Sequence, residues 1–296
     1  MSERQNPYPQ VRILYITRDD YPTFRVDINV LFGRYLAEMG VDTTIVARHN
    51  PDEAINPGLA LKTKLYVNST KSRYSLALKV WLFNVITILR YGREYDIIQV
   101  RNKIVLAVLG LLVAKIYRRK FVYWMSFPYP EDDLIRVKEH GRDLGLLRSS
   151  ATYIRGIATR FILYRVVLSR ADHVFVQSKK MHEDVLKMSK VLKRNVTIVP
   201  MAVDNQALTD WIPQQVTMPS DLCIAYLGAM DRARRIDFLF EAMTEIVKHH
   251  PDAVLLLIGD CIEANDWAWL EKKATELGIL ESITKTGWVE RDTAWS

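Results

Sequence analysis

Residues Leu222 to Asp260 read LCIAYLGAMDRARRIDFLFEAMTEIVKHHPDAVLLLIGD, and this stretch sets the class of fold. Leu222 to Leu227 is an apolar run of strand length that ends in Gly228, where the chain is free to turn. Beyond a cluster of arginines, Phe238, Leu239, Ala242, Met243, Ile246 and Val247 recur at helical spacing and predict one buried stripe. His249, His250 and Pro251 stop that helix. Ala253 to Ile258 then reads as a second strand running into Gly259-Asp260. A strand-helix-strand unit of this kind predicts two parallel strands.

Arg232, Arg234 and Arg235 stand at the predicted start of the helix. The backbone there already carries partial positive charge, and acidic residues fit better. Two readings stand. In one, three long side chains simply reach water. In the other, a phosphate sits where exposed N–H groups and guanidinium forks converge.

Outward from this stretch, the 296 residues exceed one comfortable core, so two domains are expected. Charge divides with them. Residues 1 to 200 hold 33 Lys and Arg against 18 Asp and Glu, whereas residues 201 to 296 hold 8 against 16. The basic half suits anionic lipid or another polyanion, but it has no aromatic-basic motif pointing to nucleic acid. Cys223 and Cys261 lie in or beside predicted strands and read as free thiols of a reducing compartment. The first ten residues are polar, so no secretory leader is read there. No zinc spacing, P-loop or G-x-G-x-x-G occurs.

In the first half, Val11 to Thr17, Val41 to Ala47, Asp96 to Val100, Phe121 to Met125 and Val196 to Val199 read as strands of a parallel sheet. A helix with Ile28, Leu31, Phe32, Tyr35, Leu36 and Met39 on one face follows the polar loop Arg18 to Phe24, in which Arg25 is the nearest cation. Between Ser72 and Gly92 the chain is apolar almost all round, with Arg73, Lys79, Arg90 and Arg93 as flanks. About 15 residues between basic flanks is short for a span, which needs roughly 20. A buried helix and an interfacial anchor both remain, and the buried helix is preferred. Ile104 to Ala114 reads as a second buried helix. Ser126 to Asp133 reads as a loop beyond a strand end, where ligands collect in open parallel sheets. Ser149 to Arg170 reads as a helix whose arginines, five residues apart, share no face.

Gly228 to Asp237, read as G-A-M-D-R-A-R-R-I-D, resembles the donor-site unit of glycosyltransferase family 4, whose members read close to G-R-L-D-R-E-K-G-I-D there. The family's lysine falls on Arg234, and its first arginine on Ala229. Ala171 to Ser178 resembles the family's A-D-x-V-x-x-x-S. Val199 to Asp204 resembles its V-P-N-G-V-D, with Met201 and Ala202 in place of Asn-Gly.

The resemblance implies a retaining enzyme of the α/β GT-B type, with two facing Rossmann-like domains built on parallel sheets. Residues 1–204 would form the acceptor-side domain, 205–219 a linker, and 205–296 the nucleotide-sugar donor domain. The implied reaction moves a hexose from a nucleotide-diphosphate sugar, a co-substrate with no further cofactor or metal, to a lipid-linked or polysaccharide acceptor. Gly228, Arg232, Arg234 and Arg235 would then bind the diphosphate. Gly259, Asp260, Trp288 and Val289 would bind the nucleotide, and Arg25 and Tyr129 would lie on the acceptor side. Ser126, near the position of a family histidine, and Glu131 are the catalytic candidates. The family's second domain also carries a motif of two glutamates separated by seven residues. That motif is absent here, so the second domain is expected to be incomplete. The alternative to an enzyme is therefore a non-catalytic paralogue, or a membrane-docking subunit whose missing half comes from a second chain. The expected place is cytoplasmic, peripheral on the anionic inner face of a membrane.

Overall fold

The computed structural model describes residues 10–23, 25–49, 61–66, 73–204, 218–230, 234–261 and 264–289. Arg232 and most of the predicted linker lie outside the described residues. The chain divides into two compact units, Met1–Asn205 and Gln206–Ser296.

The first unit holds a seven-stranded sheet with every pairing parallel, in the order β3-β2-β1-β4-β5-β6-β7. The strands are β1 (Val11–Ile16), β2 (Val41–Arg48), β3 (Leu61–Tyr66), β4 (Ile97–Arg101), β5 (Lys120–Met125), β6 (His173–Val176) and β7 (Val196–Ile198). The sequence reading passed over β3. It alternates Leu61, Thr63 and Leu65 with Lys62, Lys64 and Tyr66, which suits an edge strand. Because side chains alternate across a strand, β1 sends Leu14 and Ile16 into one core and Ile13 and Tyr15 into another on the opposite face. Burial on both faces is why these strands read as continuous apolar runs.

The helices between them are α1 (Val26–Asn29), which runs through a π-helical turn into α2 (Leu36–Glu38), then α3 (Arg73–Tyr91), α4 (Ile104–Ile116), α5 (Tyr129–Leu144), α6 (Leu146–Phe161) and α7 (Lys179–Met188). Three expectations are corrected here. The 126–133 loop ends early: α5 begins at Tyr129, with Pro130 in its first turn and Glu131 and Asp132 beside the positive end of the helix. The helix expected from Ser149 to Arg170 starts at Leu146 and, past Phe161, loosens into a π-helical turn and a 3-10 turn. The helices expected to be buried, α3 and α4, are buried on one side only. α3 packs Asn84, Thr87 and Ile88 inward, yet Leu78, Trp81, Leu82, Ile86 and Leu89 face solvent. Likewise α4 buries Leu106, Leu111 and Ala114 while Val105, Leu112 and Ile116 stay exposed.

The second unit has β8 (Cys223–Leu227), α8 (Asp237–His249), β9 (Val254–Ile258), α9 (Ala264–Glu276) and β10 (Ile283–Gly287). Its strands pair in parallel in the order β10-β9-β8. Phe240 and Met243 of α8 pack on Leu255 and Leu257 of β9 and on Leu270 of α9. Cys223 and Cys261 are free thiols. Among the described residues no helix is long and apolar enough to cross a membrane.

Candidate functional site

In the first unit the strand order reverses at β1: β2 and β3 lie to one side, β4 to β7 to the other. The crevice beyond the carboxyl ends of β1 and β4 is therefore the place where such a sheet receives ligands. A charged cluster fills it. Arg101, the last residue of β4, is only 1% exposed, and its guanidinium lies 2.6 Å from Asp27 and 3.8 Å from Asp19. It also donates to the Ser126 hydroxyl at 3.0 Å and the Tyr15 hydroxyl at 3.4 Å, and sits over the Trp124 ring at 5.1 Å. One of its nitrogens, Nη2, has no hydrogen-bond partner. Arg25 bridges Asp27 at 3.1 Å and Asp19 at 3.6 Å, and Arg48 holds Asp20.

Around this crevice Arg18, Arg25, Arg48, Arg101 and Lys103 outnumber Asp19, Asp20 and Asp27. The excess cation falls on two residues. Arg18 lies flat over the Tyr129 ring at 4.1 Å, and Lys103 points to Asn84 at 3.5 Å. Neither has a carboxylate within ion-pair distance among the described residues. Arg18 is exposed and Lys103 half-buried, and an excess of positive charge at the crevice favours an anionic ligand.

The catalytic candidates part company. Asn102 takes a left-handed backbone, φ 55°, which asparagine tolerates, and its side-chain oxygen accepts the Ser126 N–H at 3.1 Å. The Ser126 hydroxyl accepts hydrogen bonds from both Arg101 and Asn102, and no base is hydrogen-bonded to it. In this arrangement it accepts from two donors and ties the β4 end to the β5 end. Glu131 instead faces α6, 3.3 Å from Arg160. Burial pushes its carboxyl up, against the pull of Tyr164 and Arg160. No hydrogen bond joins it to Ser126. Of the acceptor-side pair, Arg25 is held by carboxylates, and Tyr129 carries Arg18 on one side and meets Phe127 edge-on at 4.8 Å.

The second unit presents a rim without side chains. Gly228, Gly259 and Gly287 stand at the ends of β8, β9 and β10, all with positive φ. Gly228 donates to the Ile258 carbonyl and Gly259 to the Gly287 carbonyl, each at 3.0 Å. At Gly259 a Cβ would meet the Gly228 carbonyl oxygen at 2.3 Å, so only glycine fits. Beyond the rim, Arg234 and Arg235 are exposed just ahead of α8. Arg235 grips Asp237 through two hydrogen bonds of 3.1 Å and lies 4.5 Å over the Phe238 ring. Asp260 pairs with Lys285 at 2.8 Å, and that lysine, with the Cys261 N–H, holds its carboxyl below the usual range. Trp288 follows Gly287 with its ring 77% exposed, and Val289 is half-buried beside it. The described members of the predicted donor set lie at, or shortly after, the carboxyl ends of β8, β9 and β10.

Sequence reasoning missed Arg18, Asp27, Arg101, Asn102 and Lys103. The signal was present: Arg101-Asn102-Lys103 interrupts two apolar runs directly after a strand, where a parallel sheet gathers its ligand contacts.

The sequence pattern of Glycosyltransferase Family 4 matches residues 30–207. No protein of curated function matches the chain. Among solved structures, WaaG, described as a glycosyltransferase involved in lipopolysaccharide biosynthesis, is 13% identical with a TM-score of 0.58. That match covers 95% of this chain and 71% of WaaG. S. aureus MnaA, solved with UDP, is 13% identical at a TM-score of 0.53, over 96% of this chain and 71% of MnaA. The apo form of WaaB, a lipopolysaccharide outer core galactosyltransferase, is 14% identical at 0.52, over 96% and 70%. At such identities the likeness fixes the fold, which is of the GT-B type.

Proposed function

The chain belongs to Glycosyltransferase Family 4, and we propose that it transfers a hexose from a nucleotide-diphosphate sugar to a lipid-linked or polysaccharide acceptor, with retention at the anomeric carbon. The observation that carries this reading is the glycine ledge of the second unit beside Arg234, Arg235 and the open ring of Trp288. A ledge without Cβ atoms admits a diphosphate close to the backbone, and two guanidinium groups answer its charge. Trp288 offers a face for the base. UDP is the first nucleotide to try, because MnaA, of the same fold, was solved with it.

In this reading the bond between the anomeric carbon and the diphosphate oxygen breaks while a bond to the acceptor oxygen forms on the same face. The acceptor's proton passes to the departing phosphate oxygen. The protein's part is to stabilise negative charge on the leaving diphosphate, the work of Arg234 and Arg235. In this mechanism neither Ser126 nor Glu131 needs to act as a base. The first unit's cationic crevice receives the acceptor, and the exposed apolar faces of α3 and α4 suit a cytoplasmic enzyme resting on a membrane.

The test is incubation with UDP-, GDP- and ADP-hexoses plus membrane lipid extract, followed by product NMR. Release of nucleotide diphosphate coupled to a glycoside with the donor's anomeric configuration is expected. An inverted product would overturn retention, and the absence of transfer from every donor would overturn the enzyme reading.

A further inference from the structure

Between α3 and α4 lies a groove of about 280 Å³. Its walls are Ala77, Val80, Trp81, Ile104, Val105 and Leu106. Its polar groups are two, the Asn84 amide and the Lys103 ammonium. Asn84 is 1% exposed and spends its N–H₂ on the Val80 carbonyl at 2.6 Å, which leaves its side-chain oxygen for Lys103 at 3.5 Å. Lys103 therefore ends in an apolar groove with one neutral contact and no carboxylate within ion-pair distance among the described residues. An ammonium so placed is poorly solvated and has no carboxylate in direct contact, only Asp20 and Asp19 farther off. Burial pushes it down to about 8, more than Asp20 nearby can offset.

The groove is continuous at its mouth with apolar surface. Trp81 and Val105 line it and are 42% and 58% exposed. From there the outward stripes of both helices extend through Leu82, Ile86, Leu89, Leu112 and Ile116. Neither helix contains a single Asp or Glu, and residues 73–120 hold ten lysines and arginines against two carboxylates. At the far ends of the helices Arg119 donates to the Arg93 carbonyl and pairs with Asp96 at 3.5 Å, so that end carries basic residues with one carboxylate among them. Apolar surface with a desolvated cation at one end and a basic rim at the other matches an amphiphile with an anionic head. The groove lies at the low end of ligand cavities, about 300 to 1,000 Å³, so it takes a head and its first carbons, not a whole lipid.

We propose that the groove between α3 and α4 seats the phosphate-bearing end of a single-chain amphiphile, with Lys103, oriented by the Asn84 side-chain oxygen, contacting the phosphate and the open apolar stripes carrying the hydrocarbon. Asn102, the neighbour of Lys103, is bonded to Ser126 at the crevice, so the bound head lies next to the place proposed for the acceptor. The identification of this amphiphile as the acceptor rests on the sugar-transfer reading; its binding does not.

The experiment is calorimetry of the full chain with dodecyl phosphate below its micelle concentration, dodecyl maltoside and inorganic phosphate, with UDP titrated in parallel. Dodecyl phosphate is expected to bind at least about tenfold more tightly than either of the others. Lys103→Gln should lose about tenfold or more, as removal of one charge-assisted contact implies, and Lys103→Arg should recover most of it. Trp81→Ser, at an exposed position, should weaken the alkyl phosphate and leave inorganic phosphate unchanged. Equal binding of maltoside and phosphate, with Lys103→Gln silent, would overturn the anion contact. Equal binding of inorganic phosphate would overturn the amphiphile. Self-association through this face, abolished by Trp81→Ser, with no binding of dodecyl phosphate, would assign the face to a second copy and overturn the proposal. Loss of dodecyl phosphate binding with UDP binding kept strikes this proposal alone; the reverse strikes sugar transfer alone.

Discussion

Gly259→Ala is the substitution for which the structure gives the sharpest expectation. The new Cβ would stand 2.3 Å from the Gly228 carbonyl oxygen and 3.0 Å from its carbon. The first distance is 0.7 Å short of the 3.0 Å below which such contacts are essentially never seen. The obstacle is backbone on a paired strand end, so it cannot rotate away as a side chain would. Gly259 also has φ 132°, a region open in practice to glycine alone, which costs an alanine about 1 to 3 kcal/mol. Relief of the contact means drawing β8 from β9 where Gly228 donates to Ile258 at 3.0 Å and Met230 to Asp260 at 3.2 Å. Loosening those two bonds adds about 1 kcal/mol each. The total is about 3 to 5 kcal/mol, a large part of a domain's usual 5 to 15.

Gly278→Ala is the control. Its φ of 70° is also left-handed, but nothing lies within 4 Å of its Cβ, so only about 1 kcal/mol is expected. The assay is amide hydrogen exchange across Val254–Ile258, read beside urea unfolding. Gly259→Ala should speed exchange there on the order of 100-fold and Gly278→Ala by no more than about tenfold. If the two variants behave alike, the close approach of Gly228 and Gly259 is not what shapes the ledge, and its fit to a diphosphate loses its basis.

Two further outcomes follow from the first unit. Arg101→Met removes the cation that Asp27 and Asp19 share and should lower stability by about 2 to 4 kcal/mol; those carboxylates keep some water, which holds the loss below that of a fully buried pair. Arg101→Lys should not restore it, because one ammonium cannot reach Ser126, Tyr15 and Asp27 together. Equal urea midpoints for wild type and Arg101→Met would contradict this. The Asp96 carboxyl is held below its ordinary range chiefly by the Arg12 backbone N–H. A lowered folded value means stability that is complete above the unfolded value of about 3.9 and lost as pH falls through the folded one. Asp96→Asn should therefore flatten the acid limb of stability below about pH 4 and lower stability slightly at neutral pH, by under about 1 kcal/mol since the pair is partly exposed. An unchanged acid limb would remove the linkage.

The sheet was legible in sequence because parallel strands buried on both faces leave unbroken apolar runs, as in Ile13–Ile16 of β1 and Phe121–Met125 of β5. β3 was not, because an edge strand with two lysines resembles a loop. α5 was missed for a related reason: Pro130 and the acids after it, read as loop chemistry, are equally the chemistry of a helix start. The apolar excess of α3 and α4 was plain, but periodicity cannot say which side of an all-apolar helix finds a partner. The donor set came from resemblance and from the glycines, and its described members lie at, or shortly after, the carboxyl ends of β8, β9 and β10. The crevice cluster escaped because it is assembled by sheet order: Asp19, Asp27, Arg101 and Ser126 span more than one hundred residues and meet only where the strand order reverses at β1.

The central claim is that a nucleotide diphosphate settles on the Gly228–Gly259 ledge under the arginines before α8. Calorimetry of UDP binding to the wild type and to Arg234→Ala tests it most directly. Loss of one charge-assisted contact, about 1.5 to 3 kcal/mol, should weaken binding about 10- to 150-fold without changing urea stability. Wild-type binding that is absent for UDP, GDP and ADP alike, or an Arg234→Ala affinity equal to wild type, would contradict the account.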